Sequence, residues 1–157
     1  SEDGPVLVAR PFNHIGTGQK DSFVIASAAR QICRIKQGLQ APQLEVGDID
    51  VSRDFLDVGD VVSAYLALLE KGTPGQVYNI CSGREQSIRS LIEQLGDLAR
   101  IDMQLIQDPE RLRRADQRRV CGSHAKLAQT TGWTPEITTQ QSLRAILSDW
   151  EKRVRQE

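Results

Sequence analysis

The sequence predicts an α/β fold in a single unit, and three features of it do the predicting. Val6–Arg10 is a continuous apolar run typical of a strand buried on both faces of a parallel sheet, and Val77–Ile80 reads as a second short buried strand. Longer segments between and after them carry apolar residues at helical spacing. No internal repeat, low-complexity tract or Pro/Gly/Ser-rich linker divides the 157 residues, a length that fits one domain with a real core.

Taken in order, Val6-Leu7-Val8-Ala9-Arg10 is the first strand, and it needs sheet neighbours that the rest of the chain scarcely offers. It runs into the loop Pro11 to Gln19, where Gly16 and Gly18 permit tight or left-handed backbone. From about Ser22 to Lys36, the residues Phe23, Ile25, Ala26, Ala29, Ile32, Cys33 and Ile35 recur at helical spacing, and Gly38 is the stop. Pro42 breaks the chain before two short strands, Leu44–Val46 and Arg53–Leu56, on either side of Gly47-Asp48. Asp60 is placed to cap a helix whose apolar face is Val61, Val62, Tyr65, Leu68 and Leu69, ending at Lys71-Gly72. After the turn Pro74-Gly75 comes Val77–Ile80; Ser87 then caps a helix with Ile88, Leu91, Ile92, Leu95 and Leu98 on one side. Met103–Leu105 is an edge strand, and residues 108–122 form a loop dense in arginine. A short helix, Ala125–Thr131, stops at Gly132. The last helix, about Thr139 to Val154, sets Leu143, Ile146, Leu147, Trp150 and Val154 along one stripe.

The bulk numbers exclude several classes of function. A net charge of −1 creates no global field toward nucleic acid or an anionic membrane, so neither is an expected partner. No apolar run has the length of a membrane span, and Ser1-Glu2-Asp3-Gly4 does not read as a signal peptide. Cys33, Cys81 and Cys121 are widely spaced and odd in number. They form neither a zinc pattern nor a disulfide framework, which points to a reducing cytoplasm and to no metal.

Read without reference to any family, the residues offer little catalytic chemistry. There is no G-x-G-x-x-G loop to hold a dinucleotide pyrophosphate. Tyr65 is followed four residues later by Leu69 and Tyr78 by Ser82, so no Tyr-x-x-x-Lys pair exists to lower a phenol pKa for proton transfer. No residue is assigned as catalytic. What remains suits an anion. Arg53 opens an apolar stretch, and Arg113 with Asp116 lies in the arginine-rich loop. Guanidinium forks pair with phosphate oxygens and a carboxylate accepts from ribose hydroxyls. The competing reading is that these arginines are solvated surface charge or form local salt bridges. Asn13 is either a ligand or a turn-stabilising residue bonded to its own backbone. His14 and His124 are lone histidines.

Arg10-Pro11-Phe12-Asn13-His14-Ile15-Gly16-Thr17-Gly18-Gln19 followed by Phe23-Val24 resembles the R-P-F-N-H-x-G-P-G-Q…F-V segment of the GDP-4-keto-6-deoxymannose reductases. These are nucleotide-sugar enzymes of the extended short-chain dehydrogenase superfamily. Gly47…Arg53-Asp54-Phe55-Leu56-Asp57-Val58 is similar to their G-x-x-x-x-x-R-D-F-x-D-V stretch, Val77 to Gly83 to V-Y-N-I-C-S-G, and Thr131 to Pro135 to T-G-W-x-P. Arg113 to Asp116 and Gly122 to Lys126 resemble R-P-x-D and G-D-x-x-K. In register, the likeness runs over about residues 7 to 150.

The resemblance implies the C-terminal, substrate-binding part of an NAD(P)-binding Rossmann-type enzyme, with residues 6–10 and 77–80 as its last two Rossmann strands. It implies NADP (as NADPH) as cofactor of the full-length protein, a GDP-sugar as substrate, a homodimer formed through the N-terminal half, and a chain inactive by itself. Pro11 and Phe12 would lie beside the nicotinamide. Asn13 would bond the sugar diphosphate, Val24 would line the guanine pocket, and Ser27 stands where related dehydratases have a lysine. Arg53 and Arg113 would clamp phosphates with Asp116 on the ribose, and Arg114 and Ala115 complete that substrate-binding stretch. Departures are Thr17 for proline, Gly59 for a basic residue, Arg114 for proline and Ser123 for aspartate. Arg114, Arg118 and Arg119 are expected to be nearly neutral for binding, with Arg114, which stands at a proline position, pointing to solvent. The alternatives are a GDP-mannose 4,6-dehydratase or another nucleotide-sugar epimerase or dehydratase and, from another class, a non-catalytic nucleotide-sugar-binding module.

Overall fold

The computed structural model describes residues 5–109 and 117–157. Its elements run β1 (Val8–Pro11), β2 (Asn13–Ile15), α1 (Val24–Lys36), β3 (Gln43–Val46), β4 (Ser52–Asp57), α2 (Val58–Lys71), β5 (Val77–Ile80), β6 (Glu85–Ser87), α3 (Ile88–Ala99), β7 (Gln104–Gln107), α4 (Ala125–Thr131) and α5 (Thr139–Val154). β1 and β5 pair in parallel, Val8 opposite Val77 and Pro11 opposite Ile80. A parallel pair needs a long crossover, and here it contains α2 together with the middle of the chain. β4 lies between β2, which is parallel to it, and β6, which is antiparallel. β3 and β7 form a further parallel pair.

The helices arise where the apolar stripes predict them. In α1 the buried residues are Ile25, Ala26, Ala28, Ala29, Ile32 and Cys33, and Gly38 beyond it adopts φ +72, a conformation that a side chain would strain. Ser87 caps α3, its hydroxyl accepting from the Ser90 N–H. Thr138 caps α5 in a full capping box: its hydroxyl accepts from the Gln141 N–H while the Gln141 side chain accepts from the Thr138 N–H. Thr138→Ala is expected to lower unfolding stability by about 1 kcal/mol, read as a fall in the urea midpoint at unchanged slope.

The apolar residues collect in two clusters. One packs α1, α3 and α5 on β3 and β4 through Ile32, Leu44, Leu91, Leu143 and Trp150. The other sets α2 and α4 against β5, with Val61, Leu68, Tyr78, Leu127 and Trp133.

Several expectations are corrected. β1 is not buried on both faces: Val8 is 47% exposed, because among the described residues only β5 pairs with it. Asn13–Ile15, read as loop, is a strand, since three residues are too few to show alternation and only the register on Phe55–Asp57 makes them one. Glu85–Ser87, wholly polar, gave no strand signal and forms β6 on β4. The cap of α2 is Asp57, not Asp60: its carboxylate accepts from the Gly59 N–H at 2.7 Å. Asp60 lies one turn inside, buried, and accepts from the main-chain N–H of Glu136 at 3.1 Å and of Ile137 at 3.0 Å. It thus satisfies two donors ahead of α5, and its charge suits the first turn of a helix. On the same helix Val62, Tyr65 and Leu69 are exposed, so only Val61 and Leu68 of the predicted apolar face are covered.

Candidate functional site

A cleft of about 1120 Å³ opens between α1, β3 and the start of β4. α1 contributes Val24, Ser27 and Gln31 to its wall; β3 contributes Glu45; Gly47-Asp48 and Arg53 form the far rim. Three of the predicted site residues, Val24, Ser27 and Arg53, therefore meet in one concavity although up to 29 positions separate them in sequence (53 − 24). α1 enters this cleft with no side-chain cap at Phe23 and no acid in its first turn. The free N–H groups and dipole of its N-terminus are thereby turned on the same space.

The cations of the cleft are not equivalent. Arg30 pairs with Asp21 at 2.7 Å and with Glu157 at 2.9 Å, and Arg34 pairs with Glu157. Arg53 forms no ion pair among the described residues. Its Nη1 donates to the main-chain carbonyls of Ser52 at 2.8 Å and Arg118 at 3.5 Å. Carbonyls orient a guanidinium without neutralising it, so among the described residues Arg53 brings to the cleft a positive charge with no acid partner.

Asp54, next to Arg53 on the opposite face of β4, is fully buried. Its carboxylate accepts from the N–H of Ser82 at 2.8 Å, Gly83 at 2.9 Å and Gly122 at 3.1 Å, and from the Ser82 hydroxyl at 2.6 Å. One side chain thus ties β4, the turn after β5 and the segment before α4, and this fixes the strand from which Arg53 projects. Sequence reasoning gave Asp54 no role. The available signal was an acid inside a run read as a buried strand, which must find donors.

The other predicted residues divide. Pro11 ends β1, and Phe12 continues the pairing with its N–H on the Ile80 carbonyl at 2.9 Å. A Cβ at Gly122 would stand 2.7 Å from both the Phe12 ring and the Cys81 sulfur, so glycine is required there for the ring to seat. Asn13 opens β2 and is exposed. Its side chain makes no hydrogen bond to its own backbone among the described residues, contrary to the turn-stabilising reading, and it is not part of the cleft wall. Arg113, Arg114, Ala115 and Asp116 lie outside the described residues. Arg118 and Arg119, expected to be nearly neutral for binding, are largely exposed and also paired: Arg118 with Asp48 at 2.9 Å, and Arg119 through two nitrogens with Glu85, each at 2.6 Å. The hydrogen bonds from Arg119 hold the Glu85 carboxyl below the usual range. The short run of charge around them hid this, because their acids lie 70 and 34 positions away.

The remaining polar groups carry no evident chemistry. His14 contacts the Phe12 carbonyl, and His124 stacks edge-on against Trp133. All three cysteines are free; burial pushes the thiols of Cys33 and Cys81 up to about 11, where they stay protonated at neutral pH. Among the described residues there is no metal-binding cluster and no helix long and apolar enough to cross a membrane.

Residues 1–146 match the family model described as GDP-mannose 4,6 dehydratase. The chain belongs to the GDP-mannose 4,6 dehydratase family. Within reach of this family it is 73% identical, over all 157 residues, to the GDP-6-deoxy-D-mannose reductase of Pseudomonas aeruginosa, of which it covers 52%. The solved structure of RMD from Pseudomonas aeruginosa complexed with NADPH superimposes with a TM-score of 0.91 at 72% identity, over 95% of this chain and 49% of that one. UDP-glucose 4-epimerase from Thermotoga maritima, solved with UDP-glucose, follows at a TM-score of 0.80 and 26% identity, over 94% of this chain and 46% of that one. The chain spans about half the length of the curated relatives it matches. Its fold is the Rossmann-like α/β fold of the extended epimerases and dehydratases.

Proposed function

We propose that this chain is the nucleotide-sugar-binding part of an NADPH-dependent GDP-4-keto-6-deoxy-D-mannose reductase that forms GDP-D-rhamnose. The observation that carries the reading is the cleft in which Val24, Ser27 and Arg53, which has no ion pair among the described residues, converge near the N-terminus of α1. Cation, helix dipole and hydroxyl around one cleft suit a diphosphate. The 73% identity to a GDP-6-deoxy-D-mannose reductase supports the reductase over the 4,6-dehydratase, whose Vibrio cholerae representative is 27% identical.

In this reading Arg53 holds a phosphate oxygen, Val24 lies against the base, Ser27 donates to the diphosphate and Asn13 bonds the sugar-diphosphate end. Arg113 and Asp116 act on phosphate and ribose, with Arg114 and Ala115 between them. β1 and β5 are the last two strands of the Rossmann sheet. The C-terminal ends of parallel strands are where such sheets receive their ligands, and Pro11 with Phe12 stands at that end of β1. These two residues fit as one wall against a nicotinamide, the Phe12 ring being held in place by Gly122. NADPH, when bound, supplies the hydride for the C4 ketone of the sugar. This chain's residues bind and orient that sugar; the proton-transfer groups and the pairing of a homodimer belong to the other half of the protein. The three free cysteines fit a cytoplasmic setting.

The test uses the full-length protein. GDP-4-keto-6-deoxy-D-mannose should oxidise NADPH, whereas GDP-mannose should not be dehydrated. GDP should compete with the substrate at least about tenfold better than UDP or dTDP. UDP matching GDP would move the chain to the uridine-nucleotide epimerases, and conversion of GDP-mannose without net NADPH consumption would make it a dehydratase.

A further inference from the structure

The far rim of the cleft carries an acid as well as a base. Asp48 and Arg53 both line it, and the Asp48 side chain is only 16% exposed. A bare carboxylate at the mouth of a cleft that receives a diphosphate opposes binding, and partial burial weakens the screening that would mute it. The neighbouring Asp50 is compensated by Arg89 at 2.7 Å. For Asp48 the compensating cation among the described residues is Arg118, which lies behind the rim and outside the cleft wall.

Arg118 makes two kinds of contact. Its guanidinium donates to both Asp48 oxygens, at 2.9 and 3.5 Å, and to the Asp50 carbonyl at 2.8 Å. Its main-chain carbonyl accepts from the Ser52 N–H at 2.9 Å and from Arg53 Nη1 at 3.5 Å. The Val120 N–H bonds the Ser52 carbonyl at 3.2 Å and completes the zipper along the start of β4.

We propose that Arg118 is a positioning residue for nucleotide binding, masking the charge of Asp48 at the cleft rim while its carbonyl steers Arg53. The inference rests on the phosphate role given to Arg53 above. It replaces the sequence-based expectation that Arg118 is indifferent to binding.

Calorimetry on the full-length protein, with GDP and with uncharged guanosine at low and high salt, separates charge masking from simple support. Arg118→Ala should weaken GDP by about fivefold at low salt and less at high salt, and leave guanosine within about twofold. Asp48→Asn should tighten GDP by about twofold, and the double variant should return to wild-type affinity or better. An Arg118→Ala protein that binds GDP normally overturns the inference. So does equal weakening of GDP and guanosine, or a double variant no better than Arg118→Ala. If Arg118→Ala fails to fold, Asp48→Asn alone decides: tighter GDP binding supports masking, and unchanged or weaker binding overturns it. Wild-type protein that does not bind GDP overturns the nucleotide reading and this inference together; wild-type binding with an indifferent Arg118→Ala overturns this inference alone.

Discussion

Asp54→Ala is expected to destabilise the protein by about 3–5 kcal/mol, the largest effect of any single substitution considered for this chain. The residue is fully buried and accepts from the main-chain N–H groups of Ser82, Gly83 and Gly122, from the Ser82 hydroxyl and, at 3.9 Å, from the Cys121 thiol. Truncation leaves those donors in the interior without acceptors, and each such group costs about 1–3 kcal/mol. Asp54→Asn keeps the shape but replaces one accepting oxygen with a donor, so it should fall between wild type and alanine. For a domain of this size the alanine variant should melt roughly 10 °C lower. Urea unfolding followed by circular dichroism checks both variants; a midpoint shift no larger than that of a surface substitution would show that the three connected segments do not depend on this carboxylate.

Arg53→Ala should raise the dissociation constant for a GDP-sugar by about tenfold to a hundredfold, with NADPH affinity unchanged to within about twofold. A charge-assisted hydrogen bond to a partly desolvated phosphate is worth about 1.5–3 kcal/mol, which is that range in affinity. The selectivity follows from placement: Arg53 is on the cleft wall with Val24 and Ser27, whereas Pro11 and Phe12 stand at the end of β1. Arg53→Lys keeps the charge but not the fork, and should recover only part of the loss. Stability should change little, because Arg53 forms no ion pair among the described residues and its donors reach two carbonyls. Calorimetric titration with GDP and with NADPH measures both affinities. Equal losses for the two ligands would place Arg53 in general support of the fold and not on the phosphate.

Much of the fold was legible before any coordinates. α4, α5 and the cap of α3 lie where periodicity and capping residues put them, since a helix is written in contacts three and four residues apart. The short strands were less so. β3 and β4 were visible as the short strands Leu44–Val46 and Arg53–Leu56, but Asn13–Ile15 and Glu85–Ser87 are strands only because β4 lies between them. The cap of α2 was misplaced by one turn for a related reason: Asp57 and Asp60 both satisfy cap chemistry, and the choice depends on Ser142, Glu136 and Ile137, which lie more than 70 positions on.

The site shows the same division. By itself the sequence determined the α/β class, the helical stripes, the absence of a dinucleotide loop and of a Tyr-x-x-x-Lys pair, and the motif in which Arg53 stands. Each of these is a matter of residue type at short spacing. Only the tertiary structure decided which arginines are free to meet a ligand. Among the described residues Arg34 is paired with Glu157 from 123 positions away and Arg118 with Asp48 from 70, whereas Arg53 has no acid partner and donates to carbonyls that orient a cation without offsetting its charge. Ion pairing acts through space over a few ångströms and is indifferent to distance along the chain, so no local pattern records it.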